Sequence, residues 1–585
     1  MLNDEKPRVL DGLSAEQRLA CETKENCILI ACPGSGKTRT IVHRLAYLGL
    51  SYPLNKKKHI AITYTNRASE EMESRLQDMG IEDGSIWTGT IHQFCMEYII
   101  RPYAMYCDRL RYGFHIIDEY QTEEYVRVIK EQFGIADPYY QWRQDSRIVN
   151  EYKKLLSQNK EIDFDDILSE SLSILKSHQF VSENIAKIIF SIHIDEYQDT
   201  NEKQYQIIAE IFKANNKILL MFVGDVNQAI YRNLGGVAKS IDEIRALFNT
   251  DFCEMVLTGC YRSTQRLIDF YSFFAVRRLA VVSKAKEKDS PGILKYSCEI
   301  STINLGKEIA AIVNQELTAG VPEKEICIVA PQWPLLYKIS KILRKELPSV
   351  NFDAPDISPF KYDPINPFYL VARLLFSTVK HNGRIRKKRA SEILHILQSD
   401  YGASVPSEYD ALSLLETINR GSHYRRDDDG IEIYKKTIEL IFKELKIGKD
   451  DYEVLYEKYD AFIKKAEDRI RRYSLAKKCC DFESCFMERQ GVVVTSLHSV
   501  KGEEYHSVIA FGLLNGILPH WDYIRNTNNQ SKYRHDDTYR LLYVLFSRAK
   551  ENLYLISEMG RYTGGGRLYT PTDELKNCRV SYDRW

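Results

Sequence analysis

The chain has 585 residues, of which 44% are hydrophobic and 28% charged. It is several times the length of one ordinary core, so about two to four domains are expected. Its 81 Lys and Arg balance 81 Asp and Glu, which excludes a uniformly basic coat and an acidic disordered tail; any polyanion must be held locally. The longest apolar runs, such as 217–223 and 492–497, fall far short of the roughly 20 residues of a membrane span. The N-terminus lacks an apolar secretory core, so a cytoplasmic protein with reduced thiols and no membrane partner is expected. Its 13 cysteines are scattered, and the tight group Cys479, Cys480 and Cys485 lacks the paired spacing of a metal site.

In chain order, short apolar runs ending in small or acidic residues predict strands at CILIA (27–31), HIAIT (59–63), IIFSIHIDE (188–196) and ILLMFVGD (218–225). Others follow at ICIVA (326–330), GVVVTS (491–496), VIAFG (508–512) and LYLIS (553–557). Helical stretches lie between them, and this alternation predicts parallel α/β sheets covered on both faces. The strands fall into two sets, before about residue 265 and after about 320, hence two α/β lobes. Each set is interrupted by a strand-poor stretch, 95–187 and 377–490. Helical spacing at 125–133, 148–156, 387–398 and 432–446 reads both stretches as helical insertions.

The chemistry begins at residues 31–38, ACPGSGKT, between a predicted strand and a predicted helix. Gly34, Ser35 and Gly36 form a loop whose backbone N–H groups can close on phosphates. Lys37 supplies charge to them, Thr38 a hydroxyl ligand for Mg²⁺, and the helix N-terminus its dipole. At 193–200, HIDEYQDT, a strand ends in two carboxylates. Asp195 can hold the metal through water and Glu196 can accept a proton from an attacking water. Adjacent acids at a strand end are as often a solvated turn, and the upstream phosphate loop is what favours the catalytic reading. Gln228, in GDVNQ, can orient water, while Arg262 and Arg548 can neutralise transition-state charge. Either arginine taken alone reads as a surface residue.

Order supplies the context. AEQ (15–17), CPGSGKTRT, TYTNRASEEMESRL (63–76), GTIHQFC (89–95), DFDDIL (163–168), IDEYQDT, VGDVNQAIY, LTGCYRS, SLHSVKGEEY (496–505) and YRLLYVLFSRAK (539–550) closely resemble the motif series of superfamily 1 UvrD/Rep/PcrA-like DNA helicases. The resemblance implies two RecA-like P-loop motor domains with parallel sheets, each carrying a mainly helical insertion. Domain 1A would be 1–94 with 188–258, insertion 1B 95–187, domain 2A 259–376 with 491–560, insertion 2B 377–490, and a tail 561–585. It also implies ATP and Mg²⁺ as cofactors, and single-stranded DNA and duplex/single-strand junctions as partners, with movement 3′ to 5′. Carried over by position, Gln17 resembles the adenine-reading glutamine, Arg39 and Tyr261 the pair that sandwiches the base, and Glu504 the glutamate near the ribose. Tyr64 takes the place of a base-stacking aromatic, a contact worth about 1–3 kcal/mol. Thr63, Asn66, His92 and His498 would contact the strand or couple it to the ATP site.

The sequence also departs from the pattern. Where the family has an aromatic–Arg–Gly run after the QAIY segment, Asn233 and Leu234 stand at the aromatic and arginine positions, so one base-stacking wall is missing or supplied from elsewhere. Asp537 and Thr538 replace the acidic residue expected before the last motif's arginine pair, and Tyr539 replaces one of that pair. Insertion 2B is short, and 37 residues after Arg548 are too few for a fused nuclease. DNA phosphates would have to be met by local basic groups: Lys56 to Lys58, the cluster Arg384, Arg386, Lys387, Lys388 and Arg389, and the group Arg469, Arg471 and Arg472. A solvated helix face is the plainer reading of each. Two functions therefore compete. One is a DNA-dependent ATPase and helicase of DNA repair. The other is an ATP-gated, DNA-sensing subunit that controls a partner nuclease in anti-phage defence, as in Gabija-like systems.

Overall fold

The apolar runs assemble, among the described residues, into two six-stranded sheets, the first with every neighbouring pair parallel and the second with parallel pairing at four of its five junctions. The computed structural model describes residues 9–52, 57–81, 84–117, 119–136, 142–231, 236–353, 359–360, 363, 366–377, 383–473, 475, 477–486, 490–520, 531–578 and 580–585. Asn233, Leu234 and Lys56 lie outside them, as does the side chain of Arg384. The first sheet contains β1 (Cys27–Ala31), β2 (Lys58–Thr63), β3 (Ile86–Thr90), β4 (Ile189–Asp195), β5 (Leu219–Gly224) and β6 (Cys253–Leu257). Their order is β3-β2-β4-β5-β1-β6. Alternate residues of β1 serve different cores: Ile28 and Ile30 pack in one apolar cluster, Cys27, Leu29 and Ala31 in another. A period of two with both faces buried is what an all-parallel sheet requires. Each buried Ile or Leu contributes about 1.5–3 kcal/mol.

The second sheet contains β7 (Ile293–Ser297), β8 (Ile326–Ala330), β9 (Phe352–Asp353), β10 (Val492–Ser496), β11 (Tyr505–Ala510) and β12 (Ala549–Ile556). Its order is β7-β12-β11-β8-β10-β9. Every predicted strand is present. The strands that the apolar runs did not reveal are β3, β6, β7 and β9. β6 and β9 are edge strands, β3 and β7 the opposite edges, and partial exposure leaves such strands with a mixed composition.

The chain divides into two compact units, Met1–Gly292 with Asn526–Glu551, and Ile293–Arg525 with Asn552–Trp585. Residues 259–292 and 526–551, which the family resemblance assigns to 2A, group here with the first sheet. Ser263 Oγ donates to the Ala549 carbonyl and Arg262 Nη1 to the Ser547 carbonyl, at 2.6 and 3.0 Å. Both strand-poor stretches are mainly helical. The first includes helices Glu119–Gln132, Ser146–Gln158, Phe164–Ser177 and Gln179–Lys187. The second includes Gly383–Tyr401, Ala411–Gly421, Gly430–Glu444 and Glu453–Tyr473, around an apolar core of its own. No helix among the described residues is long and apolar enough to cross a membrane.

One basic candidate is corrected here. Arg386 is buried, and its guanidinium donates to the Leu374 carbonyl at 3.0 Å, Ser377 Oγ at 3.1 Å and Asn419 Oδ1 at 3.0 Å. It joins three helical segments and presents neither a solvated face nor a phosphate contact. A basic run on a helix necessarily points one of its members inward.

Candidate nucleotide and nucleic-acid site

Strand order explains why residues far apart in sequence meet. β4, β5, β1 and β6 are consecutive neighbours, and in a parallel sheet their C-terminal ends open on one edge, where α/β proteins bind ligands. Asp195 closes β4, Asp225 follows β5, the phosphate loop follows β1, and Thr258 to Arg262 follow β6.

The loop leads into α2 (Lys37–Ser51) with Gly34 and Gly36 both left-handed, at φ 70° and 80°. A Cβ at Gly34 would stand 2.5 Å from Arg262 Cβ, and the Gly34 carbonyl accepts from Tyr261 N at 2.8 Å. Glycine is thus required both by conformation and by the approach of the segment after β6. Ser35 is buried, its hydroxyl donating to the Cys32 carbonyl at 2.7 Å, and Thr38 lies in the first turn of α2.

From Lys37 a continuous polar chain crosses the sheet edge. Lys37 Nζ contacts Glu196 Oε1 and Oε2 at 3.0 and 3.2 Å. Gln198 Nε2 donates to Glu196 Oε2 at 2.5 Å, and Gln198 Oε1 accepts from Asp225 N at 3.0 Å. Asp225 Oδ2 accepts from Gln228 Nε2 at 2.9 Å, and Gln228 Oε1 from Arg548 Nη2 at 3.1 Å. Arg548 is only 1% exposed, and its Nε donates to the Val544 carbonyl at 2.9 Å. Glu196 sits left-handed at φ 52°, a conformation that costs a non-glycine residue energy and clusters at functional sites.

Burial alone would drive Lys37 toward the neutral amine, but Glu196, Asp225 and Asp195 outweigh it and hold the ammonium above the usual lysine range. Burial, reinforced by the neighbouring Glu196 carboxylate, pushes Asp195 up. Burial also raises Asp225, with Lys37 opposing. A site crowded with buried carboxylates around one ammonium is electrostatically prepared for a cation.

Beside the loop lies α1 (Ala15–Glu22). Ser14 and Gln17 form a reciprocal capping box, and Gln17 Nε2 donates to the Ser35 carbonyl at 2.9 Å. With Oε1 accepting from Ser14 N at 3.0 Å, Gln17 keeps one further amide hydrogen and one further carbonyl lone pair. Arg39 and Tyr261 are exposed, Tyr261 at 47%. At the other end of α1, Arg44 of α2 is fully buried and its Nη1 donates to the carbonyls of Ala20, Cys21 and Thr23 at 2.7, 3.2 and 3.0 Å. Arg44 Nε donates to His193 Nε2 on β4 at 3.2 Å.

Of the candidate DNA residues, Tyr64 is 38% exposed and stacks on Tyr231 with ring centroids 4.9 Å apart and planes at 18°. Thr63 is buried, its hydroxyl donating to the Thr65 carbonyl at 2.8 Å. Asn66, at the start of α3 (Asn66–Asp78), has a buried Oδ1 with no hydrogen-bond partner among the described residues. His92 packs edge-on to Phe164 at 5.5 Å, and burial holds it down at about 4, with Asp165 pulling the other way. His498 and Glu504 belong to the second unit, between β10 and β11, and both are exposed.

A family model for the UvrD/REP helicase N-terminal domain matches residues 13–139 and 129–249, and one for the UvrD-like helicase C-terminal domain matches 409–559. The chain belongs to the UvrD-like helicases. Among similar proteins, the ATP-dependent DNA helicase PcrA of Staphylococcus epidermidis is 23% identical across 95% of this chain and 85% of its own length. The PcrA of Staphylococcus aureus is 24% identical across 95% of this chain and 84% of its own. The ATP-dependent DNA helicase UvrD1 of Mycobacterium leprae is 28% identical across 46% of this chain and 40% of its own. Membership makes the chain a superfamily 1 DNA helicase and an ATP-dependent enzyme by class.

In this helicase the sequence reading missed Gln198, Asp225 and Tyr231. Gln198 and Asp225 stand within motifs already quoted, but an uncharged amide and a turn aspartate carry no signal until their partners are known. Gly224 offers one in retrospect: a Cβ there would lie 2.1 Å from Gln198 Oε1, so the amide occupies space that only glycine leaves free.

His193 provides a pH test. Burial, with Arg44 and His59 nearby, holds it well below the ordinary histidine range. Below about pH 6.5 the unfolded chain takes up a proton there that the folded chain refuses, so this contribution to stability is present above that pH and lost as pH falls. The expected slope is about 1.4 kcal/mol per pH unit. Denaturant unfolding between pH 7 and pH 5.5 should show His193→Gln with a shallower loss than wild type. An identical loss would contradict a neutral, buried His193.

Proposed function

We propose that this helicase hydrolyses ATP to move 3′ to 5′ along single-stranded DNA in the cytoplasm, separating duplexes that adjoin the strand, with 1A, 1B, 2A and 2B divided as the family resemblance implies. The observation that supports it is the unbroken polar chain from Lys37 through Glu196, Gln198, Asp225 and Gln228 to Arg548. Lys37 and the loop of Gly34 to Thr38 would hold the phosphates of ATP, Thr38 and, through water, Asp195 would hold Mg²⁺, and Gln17, Arg39 and Tyr261 would hold the nucleoside. Mg²⁺ would supply Lewis-acid charge on the phosphates.

The chain's own groups divide the remaining work. With Lys37 engaged by phosphate, Glu196 is released from its ion pair and takes a proton from the water whose oxygen attacks the γ-phosphorus, while ADP carries away the bond electrons. Gln228 orients that water, and Arg262 and Arg548 neutralise the charge that develops. Because Gln228 is bonded to both Asp225 and Arg548, a shift at the phosphates is passed to the segment that carries Arg548.

On the DNA side, Tyr64 and Tyr231 form a two-ring platform, and Asn66 Oδ1 can accept from a base or couple the strand to the ATP site, together with Thr63 and His92. Tyr64→Ala should weaken single-strand affinity by about 1–3 kcal/mol, roughly 5- to 150-fold, read by fluorescence anisotropy at fixed salt. Affinity within two-fold of wild type would exclude Tyr64 as a stacking residue. Direction is tested with partial duplexes: displacement is expected from a 3′ overhang and not from a 5′ overhang. DNA-stimulated ATP turnover with no displacement from either would instead favour the nuclease-controlling reading.

A further inference from the structure

Cys27 and Cys253 lie at the end of the first sheet opposite the phosphate loop. They are directly opposed partners where β1 and β6 begin their parallel pairing. Both sit on the face that packs with Leu29, Ala31 and Met255, so their side chains project side by side. Parallel strands run about 4.8 Å apart, within the Cα separation of about 4.4–6.8 Å that a disulfide accepts.

The two thiols differ. Cys27 is completely buried, whereas Cys253 is half-buried and lines a surface cavity of about 490 Å³ with Lys24, Asn26, Lys217 and Asp251. The neighbouring Cys27 thiol brings Cys253 down to about 6, against burial, while the same neighbour and burial hold Cys27 well above the usual thiol range. One sulfur is therefore a solvent-reachable nucleophile near neutral pH and the other a protected thiol poised against it. None of the groups in the polar chain at the opposite end of the sheet is involved.

We propose that Cys253 and Cys27 form a peroxide-oxidisable pair, with Cys253 the attacking thiol and Cys27 the resolving one. The Cys253 thiolate attacks one oxygen of hydrogen peroxide and the O–O bond breaks, leaving a sulfenic acid and hydroxide, which is protonated to water. The Cys27 sulfur then attacks the Cys253 sulfur, the S–O bond breaks, and hydroxide departs with the Cys27 proton as a second water. Two thiols lose two electrons, and one peroxide becomes two waters. In a reducing compartment such a bond is transient and reversible. It would pin the start of the strand that leads into the phosphate loop to the start of the strand that leads to Tyr261 and Arg262.

The test uses the reduced full-length protein, exposed to hydrogen peroxide, alkylated under denaturing conditions, digested and weighed. The expected product is a peptide pair joined through Cys27 and Cys253, lighter than its parts by two hydrogens and separated by dithiothreitol. Cys253 should oxidise at least about ten-fold faster than the exposed Cys298, because thiolate character governs the rate. In Cys27→Ser the sulfenic acid persists at Cys253 and is captured by dimedone; in Cys253→Ser, Cys27 stays reduced. The proposal is overturned if Cys27 of the wild type remains alkylatable after Cys298 has oxidised, or if Cys253 is found joined to another cysteine. The readout is a mass, so its failure is separate from any failure of the ATPase reading.

Discussion

Lys37→Ala and Glu196→Gln are each expected to lower DNA-stimulated ATP turnover by about 100- to 1000-fold, the range seen when one preorganised charge-stabilising group is lost. Lys37 places its ammonium among Glu196, Asp225 and Asp195, so its removal leaves three carboxylates facing a polyanionic substrate. Binding and turnover should fall together. Glu196→Gln is a different lesion. It keeps a side chain of the same shape beside Lys37 and Gln198 but removes the proton acceptor, so nucleotide affinity should survive while kcat collapses. The substitution also relieves the repulsion that helps raise Asp195, and the folded state should not lose stability. Turnover, nucleotide binding and thermal unfolding of the two purified variants separate these outcomes. Unchanged turnover in either would remove the mechanism.

Arg548→Lys is expected to cost about 1000-fold or more in kcat, the scale of an arginine that stabilises phosphoryl transfer. The reason lies in geometry as well as charge. Arg548 uses Nε on the Val544 carbonyl and Nη2 on both Gln228 Oε1 and Ser547 Oγ. A lysine carries the charge but cannot reproduce this planar fork. The bond from Arg548 Nη2 to the buried Gln228 Oε1 would be lost, at a cost of about 1–3 kcal/mol, so the variant should also unfold more readily. Nucleotide binding distinguishes the roles. If Arg548 acts on the transition state, Arg548→Lys still binds ATP and fails to turn it over; equal losses in both would make it a purely structural link.

Much of this was legible in the residues. The phosphate loop, the paired acids after β4 and the glutamine after β5 are local patterns, because a strand that ends in a tight turn must place its chemistry within a few residues. Both helical insertions could likewise be read from their apolar spacing. The strands β3, β6, β7 and β9 were not, since sheet edges need no continuous apolar run. Arg386 reads as part of a basic cluster, yet it is buried against Leu374, Ser377 and Asn419. Charge along a helix does not reveal which side chain turns inward.

The sequence by itself determined the sheet class, the glycine-rich loop after β1, the acids at the end of β4 and the resemblance to the UvrD-like helicases, all of which depend on short-range order. Only the tertiary structure decided which distant groups share a hydrogen bond. It set Gln198 between Glu196 and Asp225, closed Gln228 onto Arg548, stacked Tyr231 on Tyr64 and opposed Cys27 to Cys253. Strand order makes these pairings, and strand order is fixed by how the faces of the whole sheet are buried, a property no single segment carries.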